Sequence, residues 1–108
     1  MEKLLEITYL FDFYQVLLTN KQREIVTGYH FDDLSLAELA SLQGISRQGV
    51  FDTLKKTEQK LLDYEQRLKL WSKFQAQEDI LAKLNKALDD GENLDNIKQL
   101  VNELRNEM

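Results

Sequence analysis

The chain of 108 residues contains no proline, and its apolar residues recur at spacings of three and four along most of its length. Proline punctuates loops and strand edges, whereas these spacings place apolar side chains on one face of a helix. Six helices are predicted, over residues 3–17, 19–30, 35–42, 47–71, 76–88 and 95–106. The sequence therefore predicts an all-α fold.

Length and composition limit the class of protein further. A chain of this size suits one small domain with an extension, and we expect a domain over residues 1–70 and a C-terminal helical extension over 71–108. The extension is expected to pack on the same core or at a dimer interface. With no cysteine, disulfides and thiolate metal sites are excluded, and a cytoplasmic location is expected. No apolar run approaches the ~20 residues of a membrane span, so no membrane insertion is expected.

Residues 35–50 carry the pattern of a helix-turn-helix. Two short helices that meet at a steep angle need a small residue at their crossing, a turn residue that tolerates positive φ, and apolar residues between them. Serine at the start of the first helix, with glutamate three residues later, forms a capping box. The predicted framework is Ser35, Ala40, Gly44, Ile45 and Val50.

The second helix of this motif presents a polar face opposite Val50. Helix-turn-helix proteins place the N-terminal residues of this helix on base edges in the major groove. Arg47 suits guanine and Gln48 suits adenine, whereas the lysines suit phosphates. Asp52 would repel phosphate, so it is expected to accept from cytosine or to orient Arg47 or Lys56. The predicted DNA-binding residues are Ser46, Arg47, Gln48, Asp52, Lys55, Lys56 and Lys60.

The charge distribution bears on this prediction. The chain has a net charge of −5, which opposes non-specific DNA binding. The acid lies mostly elsewhere, because the net charge is −2 over residues 1–20, 0 over 21–60 and −3 over 61–108. Within residues 47–60, four basic residues face two acidic ones, for a net charge of +2. The local positive charge is modest.

Five segments carry a family resemblance, namely residues 10–14, 18–25, 35–40, 45–50 and 52–65. LTNKQREI, SLAELA and ISRQGV together look like the fourth region of bacterial sigma factors. With LFDFY and DTLKKTEQKLLDYE, the chain resembles the YlxM family of small helix-turn-helix proteins from Gram-positive bacteria. The resemblance implies an all-α fold of sigma-factor region-four type with a long recognition helix. It also implies a DNA-binding role and a regulatory link to the signal recognition particle pathway.

Several residues have a plain alternative interpretation. Arg47, Gln48 and the lysines also fit an ordinary solvated helix surface. Phe51 fits packing on a neighbouring helix better than insertion between bases. His30 ends a helix, where the helix dipole favours its partial positive charge, so no metal or catalytic role is expected. The acidic pairs at 32–33 and 89–90 fit turns between helices.

A homodimer is also predicted, because helix-turn-helix modules commonly bind DNA as two-fold pairs. The first helix is apolar over most of its circumference, which favours a partner. An apolar cluster follows the helix-turn-helix, and it forms either a site covered by the last two helices or the dimer interface. The tentative interface residues are Tyr64, Leu68, Trp71 and Phe74.

The sequence predicts no enzyme. Its four glycines are scattered and form no phosphate-binding loop, and one histidine without cysteine forms no nucleophile–base pair or metal site. No cofactor is expected. The predicted function is DNA-binding regulation through double-stranded DNA. The alternative is a protein-interaction adaptor that keeps the fold but has little DNA affinity, which the net acidity, Asp52 and Gly49 favour.

Overall fold

The computed structural model describes the backbone of residues 3–108 and the side chains of residues 5–108, so the Leu4 side chain lies outside the described residues. All of its regular elements in this range are helical, and the predicted all-α fold is confirmed. The helices are α1 (Lys3–Tyr14), α2 (Asn20–Val26), α3 (Leu36–Gln43), α4 (Arg47–Leu68), α5 (Leu70–Asp89) and α6 (Leu94–Asn106). A 3-10 turn (Gln15–Leu17) follows α1, and a π turn (Thr27–Phe31) follows α2.

The chain divides into two compact units, Met1–Leu68 and Lys69–Met108. The prediction of one helix that continues to Trp71 was wrong. Lys69 adopts a left-handed backbone conformation with φ of 56°, which interrupts the helical hydrogen-bond ladder. The next helix begins at once, with Lys73 N–H donating to the Lys69 carbonyl at 2.9 Å. Helix α5 therefore starts at Leu70, well before the predicted start at residue 76.

The core of the first unit surrounds α4. Helices α1, α2 and α3 each contact it, and its buried side consists of residues spaced by three and four. Burying one large aliphatic side chain contributes about 1.5–3 kcal/mol, so this packing dominates the stability of the unit. The large core side chains with no more than 3% exposure are Ile7, Leu10, Tyr14, Ile25, Val26, Leu39, Val50, Leu54 and Leu61.

Two capping boxes are present, and the one at Ser35 confirms the box that the sequence predicts. Thr19 Oγ1 accepts from the Gln22 N–H at 3.2 Å, and Gln22 Oε1 accepts from the Thr19 N–H at 3.0 Å. At the start of α3, Ser35 Oγ accepts from the Glu38 N–H at 3.0 Å, and Glu38 Oε1 accepts from the Ser35 N–H at 3.1 Å. Each box satisfies two backbone donors that the helix itself cannot pair.

The elbow between α3 and α4 depends on Gly44. Its φ is +67°, and the Ala40 carbonyl accepts from the N–H groups of both Gly44 and Ile45. Ala40 is 9% exposed, Ile45 is half-buried and Val50 is fully buried, so the small and apolar residues of the framework line the inside of the elbow.

A buried contact between a histidine and a glutamate joins the π turn to α4. His30 Nε2 lies 2.8 Å from Glu58 Oε2, and the two side chains are 6% and 7% exposed. This contact differs from the predicted role of His30 at a helix end. Gly28, in the same turn, packs directly against Leu39, because an added Cβ would lie 2.5 Å from Leu39 Cδ2. The π turn therefore contacts both helices of the helix-turn-helix.

The second unit is a helical hairpin. Its turn closes through Gly91, which has φ of +66°, and through the Glu92 N–H, which donates to the Ala87 carbonyl at 3.0 Å. Asn93 then caps α6, with its Oδ1 accepting from the Asn96 N–H at 2.9 Å. Ala87 is the one hydrophobic side chain of Lys69–Met108 that is buried among the described residues.

We predict that Gly44→Ala lowers the free energy of unfolding by ~1 kcal/mol, because an L residue is strained at positive φ even where space is available. Urea unfolding, followed by circular dichroism, measures the change. Asn tolerates the left-handed region better, so Gly44→Asn should lose less. Equal stability of the alanine variant and the parent would show that the elbow does not need glycine.

We also predict that His30→Ala lowers the free energy of unfolding by ~1–3 kcal/mol, because it leaves the Glu58 carboxylate buried without its close partner. The loss in the His30→Ala, Glu58→Ala double variant should be smaller than the two single losses combined. Urea unfolding of the four proteins tests this cycle, with Lys56→Ala as an exposed control that does not contact Glu58. Additive losses would contradict a direct coupling.

Candidate nucleic-acid interface

Helix α4 begins with a cap that orients its first turn. Ser46 Oγ accepts from the Gly49 N–H at 2.9 Å, and the Ser46 carbonyl accepts from the Val50 N–H at 3.0 Å. Because Val50 is fully buried, this turn has a defined rotation about its axis. Arg47 and Gln48 are consequently exposed at the helix start, where an approaching ligand meets them first.

The polar side of α4 forms one continuous exposed surface. We call it the recognition face, and it consists of Arg47, Gln48, Asp52, Lys55 and Lys56, all exposed. Of the other residues predicted to contact DNA, Ser46 is exposed and Lys60 is half-buried. Lys60 Nζ lies 5.9 Å from the centroid of the Tyr64 ring, at the edge of this surface. The recognition face thus contains five of the seven predicted residues, with Ser46 at the helix cap and Lys60 at the edge.

Asp52 contacts a different residue from the ones expected. Its Oδ1 accepts from Gln48 Nε2 at 2.9 Å, rather than orienting Arg47 or Lys56. The contact spans one helical turn and fixes the orientation of the Gln48 amide. The amide nitrogen carries two hydrogens, so one remains to donate to adenine N7 while Oε1 accepts from adenine N6. Asp52 therefore presents the amide in a conformation compatible with adenine.

Lys55 has two neighbours on its own helix. Its Nζ lies 5.5 Å from the centroid of the Phe51 ring and 3.6 Å from Glu58 Oε1. The Phe51 side chain is 40% exposed, so it is only partly packed against the protein. These contacts place an ammonium group beside an accessible aromatic ring.

The remaining two cations have no acidic partner in the part of the chain whose side chains are described. No carboxylate oxygen lies within 4.0 Å of a side-chain nitrogen of Arg47 or Lys56 there. Both side chains are exposed, so binding an anionic ligand breaks no such ion pair. This arrangement preserves the positive charge of these two residues for an external ligand.

Glu58 is the important residue that sequence reasoning missed. It is only 5% exposed, its Oε2 lies 2.8 Å from His30 Nε2, and its Oε1 lies 3.6 Å from Lys55 Nζ. The signal was available, since Glu58 follows Leu54 by four and precedes Leu61 by three, which is a core-facing position. Of the two acidic residues between Arg47 and Lys60, Asp52 is the exposed one.

The tentative dimer residues fall into two groups. Tyr64 is half-buried, with its ring centroid 5.8 Å from that of Tyr14, and Leu68 is 46% exposed; both belong to the first unit. Trp71 and the 45% exposed Phe74 belong to the second unit. Their assignment to an interface stays a prediction.

Other classes of site find no support in the described residues. No group of three or more His, Cys, Asp or Glu side chains there is arranged to hold a metal ion. Among the same residues, no helix combines the length and the hydropathy that crossing a membrane requires.

Comparison with known proteins gives a consistent result. A family model described as "Putative helix-turn-helix protein, YlxM / p13 like" (UPF0122) matches residues 1–102. A UPF0122 protein of Shouchella clausii is 48% identical over 88 residues, which cover 82% of this chain and 81% of that protein. UPF0122 proteins of Bacillus mycoides and Bacillus cereus strain AH187 are 46% and 45% identical over 102 residues, which cover 94% of this chain and 93% of each relative.

Proposed function

The chain belongs to the YlxM / p13-like family of helix-turn-helix proteins, and from this premise we propose that it binds double-stranded DNA through the recognition face. The observation that carries the proposal is the polar, exposed start of α4 beyond a glycine elbow, while its opposite side is buried in the core. The major groove of B-DNA is about 12 Å wide and admits a helix of this kind.

Base contacts are assigned to the first turn of α4. The Arg47 guanidinium is exposed and matches the two acceptors of guanine, and the Gln48 amide matches the donor and acceptor of adenine. The hydrogen bond to Asp52 supports this role for Gln48, because an amide already oriented loses less conformational entropy on binding.

Phosphate contacts are assigned to the lysines further along the helix. Lys55 and Lys56 lie on the same face about two to three turns from Arg47, and Lys60 lies at its edge. With Arg47, they supply at most four cations. The affinity for arbitrary sequences is therefore expected to be modest, and base contacts should account for much of the selectivity.

The biological part of the proposal is regulation of gene expression by a cytoplasmic homodimer. Two-fold pairs of helix-turn-helix modules read half-sites about one turn of DNA apart, which supports a dimer. The family resemblance supports a regulatory connection with the signal recognition particle pathway.

A second candidate function is protein-interaction adaptor, with the same fold and little DNA affinity. The net charge of −5 favours it, since the whole protein repels a polyanion. The exposed Asp52 also favours it, because this carboxylate lies in the centre of the recognition face. Salt dependence of binding separates the two candidates.

We predict DNA binding at low salt that weakens steeply as salt is added. Neutralisation of three to four phosphates by these cations gives a slope of roughly −2.7 to −3.6 in log affinity against log salt concentration. Fluorescence anisotropy with DNA selected from a random pool measures this slope. Absence of binding to any selected duplex at low salt would favour the adaptor.

We further predict different effects from two substitutions in the recognition face. Arg47→Ala should cost ~1–3 kcal/mol on the selected site and relax the preference at one base pair. Lys56→Ala should weaken all duplexes about equally and reduce the salt slope by about one. Lys83→Ala, on the second unit, is the matched control and should bind as the parent does. The proposal fails if neither substitution in α4 changes binding.

A further inference from the structure

The second unit has a regular seam. Helices α5 and α6 pack against each other through residues spaced by three and four, the pattern of an antiparallel helical pair. Gln77 Nε2 donates to the Glu107 carbonyl at 3.1 Å, so the start of α5 lies beside the end of α6. The apolar seam residues are Ile80, Leu84 and Ala87 of α5, with Ile97, Leu100 and Leu104 of α6.

A second apolar row runs along each helix beside this seam. Its residues recur every seven positions, and each one follows a d position of the seam by one residue. In heptad notation, in which the seam positions are a and d, these residues occupy position e. All six side chains are exposed by at least 40%. We call this surface the hairpin face: Phe74, Leu81 and Leu88 of α5, with Leu94 and Val101 of α6 and Met108 just beyond the end of α6.

Both rows lie on the same side of the hairpin. In an antiparallel pair, the e positions of the two helices flank one side of the seam, and the g positions flank the other. The g side is a polar groove lined by Lys83, Asp90, Asn96 and Glu103. The hairpin is therefore two-sided, with one polar side and one apolar side.

We propose that the hairpin face binds the hairpin face of a second copy of this chain, which forms a four-helix bundle. Apolar residues at a, d and e form the wide stripe of a helix that faces a bundle core, rather than the narrow seam of a two-helix pair. Two copies supply the four helices that this stripe requires. A lone hairpin of 40 residues with one buried hydrophobic side chain lacks a core of its own.

An acidic and a basic side chain beside the hairpin face are placed so that two copies related by a two-fold axis bring them together. Glu78 of α5 and Arg105 of α6 occupy the same heptad position, b, which lies beyond position e on the outer edge of the face. The Gln77–Glu107 hydrogen bond shows that they lie at the same level along the hairpin. A two-fold axis parallel to the helices places α5 over α6 of the second copy, and it therefore places Glu78 opposite the second copy's Arg105.

This pairing rests on the dimer in the proposed function, and it replaces the tentative interface with a defined one. Of the four residues first assigned to the interface, Phe74 alone belongs to the hairpin face. The dimer does not require DNA, so its measurement is separate from DNA binding.

Sedimentation velocity of the full chain over a range of concentrations tests the pairing. The parent should sediment at twice the 12.7 kDa chain mass. The Leu81→Glu, Val101→Glu variant, which removes two central side chains of the face, should sediment as a monomer. Lys86→Glu, in the polar groove, is the matched control and should remain a dimer. Leu68→Glu, at the tentative interface outside this face, should also remain a dimer.

A charge-exchange experiment distinguishes loss of the dimer interface from unfolding of a variant. Glu78→Arg and Arg105→Glu should each weaken the dimer by at least tenfold in dissociation constant, and the combination should restore it. A monomeric parent would overturn both this pairing and the proposed dimer. A dimeric parent whose mass is unchanged by Leu81→Glu, Val101→Glu would overturn this pairing alone. Anisotropy of the same variants on a single half-site reports DNA binding by itself.

Discussion

The burial of one side of α4 is the interaction on which the first unit depends. Val50, Leu54 and Leu61 are at most 3% exposed and meet side chains from three other helices. A helix held in this way cannot rotate about its axis without exposing several large aliphatic side chains, each worth about 1.5–3 kcal/mol. The recognition face is exposed because the opposite side is packed, so one set of contacts determines both the core and the surface available to DNA.

Polar groups inside this packing add specificity to it. Thr57, fully buried, donates its hydroxyl to the Thr53 carbonyl at 2.7 Å, and Glu58 pairs with His30. A buried carboxylate that loses its hydrogen-bonding partner is destabilising, so a different arrangement of these elements is disfavoured. The Glu58–His30 contact thus favours one relative position of α4 and the π turn.

The two units bury their apolar side chains to different extents. The first unit encloses its large apolar side chains within a single chain, and Tyr14 is buried completely while its hydroxyl donates to Glu65 at 2.7 Å. The second unit leaves a whole row of apolar side chains exposed on each helix. A domain that binds DNA as a pair needs a surface for self-association outside the recognition face. The hairpin face has the regular apolar spacing and the flanking charges for that task in the proposed dimer.

The sequence by itself determined the features that depend on neighbours within about four residues. The capping boxes at Thr19 and Ser35, the positive φ of Gly44 and the polar side of α4 follow from local hydrogen bonds and helical periodicity. The tertiary structure alone decided that His30 meets Glu58 across 28 residues, because contacts so distant in sequence depend on how helices pack. It also decided the helix break at Lys69, where the local pattern favours continuation and a left-handed residue is tolerated only at a cost that packing must offset.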